Sequence, residues 1–301
     1  MDLNLFFNGL SIPDKTSQLF EKNNLSFEQF VKMLSHLLAK DLHLNITIQT
    51  DIKNKLCDII VPYNRKQTEH HFWKLFLDHS KDIMWSENTL STIFNKSCRF
   101  YIEVDNSMDA MMLFGAAIEK LIAISFNINE CFNSHVISLV KENGNEMTKL
   151  EINNMSSVET AILAIREFAS RLSPSDEIYL FQIMYPHLLI CDRAKSDYIE
   201  WNTDLLFKKQ TKNILDGLNK CVQESNNKKM NVRNYCPNVS PDTAHSINSD
   251  HGERTVRCPD GKDFIFSYHV KSNAARVYYD TRYIPDRHIL IGRLLPISQH
   301  P

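Results

Sequence analysis

Four sets of residues in this sequence have the types and spacing to do chemistry. Asp51 and Lys53 follow the alternating run Leu44-Asn-Ile-Thr-Ile-Gln-Thr50, which places an Asp-x-Lys pair at the end of an expected strand. An aspartate there could hold Mg²⁺ while the lysine steadies an attacking water. The second acid of such a centre has no clear position; Asp41 is merely near. Glu69, His70, His71, Asp78, His79 and Asp82 fall in one segment, and His71, Asp78 and Asp82 share a face if it is helical. That face could bind a metal, or be the solvated flank of a helix whose Phe72, Trp73, Phe76 and Leu77 meet a core. Cys236, His245, His251 and Cys258 are zinc-ligand types, but their gaps fit no finger spacing. No metal and no cofactor is expected from these sets.

The fourth set lies near the end of the chain. Alternate residues of a strand share a face, so Ser267, His269 and Lys271 point one way, as do Arg276, Tyr278, Asp280 and Arg282 on the next strand. Cations would meet phosphates there and Tyr278 would stack on a base. His269, Lys271, Arg276, Tyr278 and Arg282 are therefore the candidate nucleic-acid-binding residues. The alternative is a half-exposed sheet whose outer face is polar because it meets water.

Several chemistries lack their motifs. The seven glycines form neither G-x-G-x-x-G nor G-x-x-x-x-G-K-[ST], the unhindered backbone that dinucleotide and P-loop cradles use. H-E-x-x-H, G-x-S-x-G and C-x-x-C do not occur. The seven cysteines are scattered, which reads as free thiols in a reducing, cytoplasmic setting. The longest apolar stretch, Met111 to Phe126, is broken by Glu119 and Lys120, so no membrane span is expected. Hydrophobic residues at 43% and charged residues at 23% suit a globular core. From Leu205 onward 15 Lys/Arg face 9 Asp/Glu, a basic end on an acidic body. The length predicts more than one module.

The elements that must position these residues follow from periodicity and caps. A strand over 3–7 and a helix whose stripe is Phe27, Phe30, Val31, Leu34, Leu37 and Leu38 open an α/β module over 1–96. The region 97–225 then reads as strand 98–105, helix 107–124 capped by Ser107, strands 134–141 and 146–152 around Asn143-Gly144, helix 156–172 with Ser156 and Glu159 as a capping box, and a final strand or partly helical segment over 176–184. That order is βαββαβ, a ferredoxin-like module, followed by a helix over 204–225. Phe100 and Tyr101 on its first strand invite an RNA-recognition reading, but strand 146–152 lacks the paired aromatics, so protein–protein packing is the better expectation. Residues 226–253 read as a linker. Residues 254–301 read as an antiparallel meander with strands 255–258, 264–271, 276–279 and 288–295. The fold class is α+β.

The last segment, RTVRCPDGKDFIFSYHVKSNAARVYYDTRYIPDRHILIGRLLP, carries a Pro259-Asp260-Gly261 turn, a His269-x-Lys271 strand, Arg276 with Tyr278, and a closing Ile291-Gly292 strand. It resembles the C-terminal segment of uncharacterised bacterial proteins of phage-defence loci, and its strand grammar is similar to that of RelE/ParE-type toxins. Unlike those toxins, this chain sets the sheet behind 253 other residues. The resemblance implies a non-catalytic subunit of an antiphage assembly, with a protein partner and possible nucleic-acid contact through the terminal sheet. The alternatives are a toxin-like ribonuclease or metal-dependent nuclease, and a purely structural adaptor.

Overall fold

The computed structural model describes residues 2–12, 24–38, 43–60, 80–95, 97–126, 130–225, 230–241, 255–281 and 288–298. The protein is α+β and divides into two compact units, Met1–Ser170 and Arg171–Pro301. No helix among the described residues is long and apolar enough to cross a membrane.

The first unit is built on eight strands. β1 (Asp2–Phe7), β2 (His43–Ile48), β3 (Lys81–Asp82) and β6 (Ile122–Ile124) run parallel. Leu3, Leu5, Phe6 and Phe7 are all buried, the near-continuous apolar run that a strand covered on both faces requires. β4 (Cys98–Ile102), β5 (Asp105–Asp109) and β7 (Val136–Asn143) form an antiparallel leaf. The two leaves share β8 (Glu146–Met155), whose first eight residues pair antiparallel with β7 and whose last two run parallel to β6. The sheet order is β3-β2-β1-β6-β8-β7-β4-β5.

Helices cover both faces of this sheet. α1 (Asn24–Leu38) buries Phe30, Met33, Leu34 and Leu37, and Phe30 meets Phe7 and Phe126 at ring distances of 5.9 and 4.8 Å. α5 (Val158–Ala169) packs beside it. Phe6 points the other way, as a neighbour of Phe7 in a strand must, and joins Leu113 and Phe114 of α4 (Met111–Ile118) in a core with Phe100, Ile102, Ile137, Leu139 and Ile152. Residues of both leaves thus pack on one helix, so the sheet curls around α4. The remaining α-helices among the described residues of this unit are α2 (Thr50–Ile60) and α3 (Glu87–Ile93).

The expected hairpin is present: Asn143 pairs with Glu146 and Gly144 takes φ +60°. The βαββαβ order is not. The segment expected as one helix over 107–124 contains the end of β5, α4 and β6, and Ser107 bonds to Asp105 instead of capping a helix. The segment 176–184, open to strand or partial helix in the sequence, lies in helix α6 (Pro174–Met184), started by Ser173, whose Oγ accepts from Asp176 N, with Pro174 in the first turn. The expected boundary at 96/97 falls inside the first unit, because β1 pairs with β6. The capping box sits one residue later than expected, with Ser157 and Thr160 exchanging bonds.

The second unit holds a five-stranded sheet in the order β10-β13-β14-β15-β9. β9 (Leu188–Ile190) runs parallel to β15 (Ile289–Pro296), and β13 (Tyr268–Lys271), β14 (Ala275–Asp280) and β15 form the expected meander. β10 (Val239–Pro241) lies within the expected linker and pairs with β13. β11 (Thr255–Arg257) and β12 (Asp263–Ile265) make a separate hairpin. Between β9 and β10 run α7 (Asp192–Trp201) and α8 (Leu205–Glu224), the latter capped by Asp204.

Candidate functional site

The terminal sheet brings its candidate residues together but encloses them. Register places His269 opposite Tyr278 and Lys271 opposite Arg276, and Arg276 Nη1 donates to Tyr278 Oη at 3.2 Å. His269, Arg276 and Tyr278 are only 3, 3 and 1% exposed, while Lys271 is half-buried; Arg282 lies outside the described residues. The expected solvent-facing polar surface is therefore an interior one. The cause is cover on this face: Tyr278, Leu290 and Leu295 pack with Cys191, Val256, Cys258 and Phe266. Arg293, opposite Tyr278, is bound to Asp197 of α7 at 2.7 Å. Burial pushes the Asp197 carboxyl up, and its bonds to Arg293 and Leu294 N act against that shift.

The other candidates do not assemble a centre. Asp51 is exposed in the first turn of α2, so the Asp-x-Lys pair begins a helix instead of ending a strand. Lys53 Nζ lies 3.5 Å from Ser80 O, and Asp82 accepts from Thr50 Oγ1 at 2.7 Å. Asp41, Glu69, His70, His71, Asp78, His79, His245 and His251 lie outside the described residues. Cys258 packs with Tyr278, whereas Cys236 lies near Tyr279, so the two thiols flank opposite faces of the sheet. Burial pushes Cys236 up to about 12, which keeps it a thiol. Among the described residues no cluster of three or more His, Cys, Asp or Glu could hold a metal.

Sequence reasoning did not point to the carboxyl edge of the first unit. The parallel strand order turns between β1 and β6, since β2 and β3 lie on one side of β1 while β6 and β8 lie on the other. Ligands of open α/β sheets bind outside the carboxyl ends at such a reversal. A buried polar network ties those ends together. Asn8 Oδ1 accepts from Leu10 N, and its Nδ2 donates to Ser125 Oγ at 3.0 Å. Ser125 donates to Asn154 Oδ1 at 2.6 Å, and Asn154 Nδ2 donates to the carbonyls of Phe132 and Ser134. Ser11 Oγ donates to Asn8 O and accepts from Phe126 N. A network satisfied in this way makes a rigid floor.

Beside that floor is a cavity of about 130 Å³ lined by Phe6, Asn8, Gly9, Leu10, Gln49, Ile52, Asp109, Met112 and Leu113. Ile52 fills the space a Cβ on Gly9 would need, at 2.7 Å, so this glycine serves close packing and not a phosphate cradle. Asp109 belongs to β5, the eighth strand of the sheet, yet it lines the same space as residues after β1, the third. The curl of the sheet around α4 brings it back. Its Oδ1 accepts from Met111 N at 3.0 Å, which fixes the carboxylate at the start of α4.

Asp109 also lines a larger cleft, about 510 Å³, with Ile93, Phe94, Asn95, Cys98, Arg99, Phe100, Asn106, Ser107, Met108 and Met111. Its α3 wall is pinned to the end of α4 by Glu119, which accepts from Ser86 N and Thr89 Oγ1. Bonds from Ser86 and Thr89 hold the Glu119 carboxyl below the usual range. Arg99 Nη2 donates to Asn106 O at 2.6 Å, and the guanidinium lies 5.1 Å from the Tyr101 ring centre. Compared with family models, curated proteins and solved structures, the chain matches none.

Proposed function

We propose that the first unit binds a small molecule in the cleft and cavity that meet at Asp109. The observation that carries this reading is the convergence of β5 on the carboxyl ends of β1 and β2, at the point where the parallel strand order reverses. The cleft volume falls in the range of ligand sites, roughly 300–1,000 Å³, and its lining is mainly apolar with a few convergent polar groups. One carboxylate and one guanidinium among aromatic, thioether and amide groups suit recognition more than bond-breaking. The setting we infer remains a subunit of a bacterial antiphage assembly, supported by the resemblance of residues 254–296. A nucleic-acid role for the second unit would require the face of His269, Arg276 and Tyr278 to open.

The test is a fluorine-NMR fragment screen on the full chain and on Ser107→Trp, which narrows the cleft. Fragments should bind the parent protein and be lost or weakened in the variant. An empty screen, or hits that bind both proteins alike, would overturn the reading.

A further inference from the structure

The charges around the site select a ligand sign. Among the described lining residues, Asp109 is the one formal charge of the smaller cavity, and Arg99 is the other in the cleft. They are not equivalent. Arg99 is exposed, gives one donor to Asn106 O, lies over Tyr101 and lines the cleft alone. Asp109 has one oxygen engaged, by Met111 N, and remains exposed at the junction of the two spaces. Phe94 is 60% exposed although Phe100, Met108 and Met111 stand near it on the same cleft, which offers aromatic and thioether contacts to a flat ring.

We infer, resting on the ligand-binding reading above, that this site takes an arylalkylamine: a flat apolar ring in the cleft and a cationic arm reaching Asp109. An exposed carboxylate that lines both spaces attracts a cation and repels an anion. The same charge disfavours phosphorylated ligands.

The experiment uses three molecules that share a ring and differ in the charge of the arm: tyramine, 2-(4-hydroxyphenyl)ethanol and 4-hydroxyphenylacetate. Each is titrated into the full chain by NMR at pH 7. Tyramine should bind at least roughly tenfold more tightly than the carboxylate, the scale of one short ion pair near a protein surface. Asp109→Asn keeps an acceptor for Met111 N and should bring the three affinities together. Equal binding of all three, or a preference for the anion, would overturn the charge inference while leaving the ligand site in place. Failure of all three to bind while fragments still occupy the cleft would overturn it too. An empty fragment screen would instead remove the site itself.

Discussion

Asn8 donates through Nδ2 to Ser125 Oγ at 3.0 Å, across 117 positions of sequence, and so fastens the carboxyl end of β1 to that of β6. Ser125 passes its own hydrogen to Asn154. Removing the hydroxyl leaves a buried amide hydrogen and a buried carbonyl without that link, which costs about 1–3 kcal/mol. Ser125→Ala should therefore lower the stability of the first unit by that amount in urea unfolding. An unchanged midpoint would show that the network contributes nothing net.

Glu177 plays a comparable part in the second unit. It is fully buried, accepts from Tyr198 Oη at 2.9 Å, and pairs with Lys208 at 2.9 Å and with Lys212. Removing one partner of a buried ion pair leaves uncompensated charge, at roughly 3–5 kcal/mol. Glu177→Ala should destabilise the second unit on that scale, while Glu159→Ala on exposed α5 surface should not. Equal melting curves for the two variants would contradict this.

The legibility of the fold followed local chemistry. Asn143-Gly144 announces the β7–β8 hairpin because positive φ is cheap at glycine, and the helix expected over 204–225 is α8, whose start is held by the Asp204 carboxylate accepting from Leu206 N and Phe207 N. The run Asp176–Met184 leaves two readings open, since a short apolar stretch fits either a strand or a buried helix. Ser173-Pro174 held the deciding signal. β6 was hidden because three residues carry no period. Asp109 could not be read as a site residue at all, since its place depends on the curl of the whole sheet.

A pH dependence follows from His187. Burial, and then the neighbouring His288, hold its imidazole below the ordinary value of 6.5. The unfolded chain takes up that proton more readily, so the stability is present above about pH 6.5 and is lost as pH falls through and below it. Thermal melts should drop between pH 7 and pH 5, and His187→Asn should flatten that part of the profile. Parallel profiles for the two proteins would assign the drop to other groups.

Lys271 and Arg276 should separate when their charges are reversed. Arg276 is buried, so Arg276→Glu places a carboxylate in the interior and should lower the melting temperature; half-buried Lys271 should tolerate the change. Salt titrations on single- and double-stranded RNA and DNA give the second readout. A double variant that stays folded yet shows a shallower salt slope would prove that phosphate reaches this face.

The position of β1 also sets a timetable for synthesis. Its edge toward β6 has no partner until Ile122–Ile124 have been made, whereas β7 and β8 need only two turn residues between them. At ribosomal speed that interval is on the order of ten seconds. Through it the apolar run Leu3–Phe7 has no second neighbour, which leaves it open to a chaperone on the nascent chain.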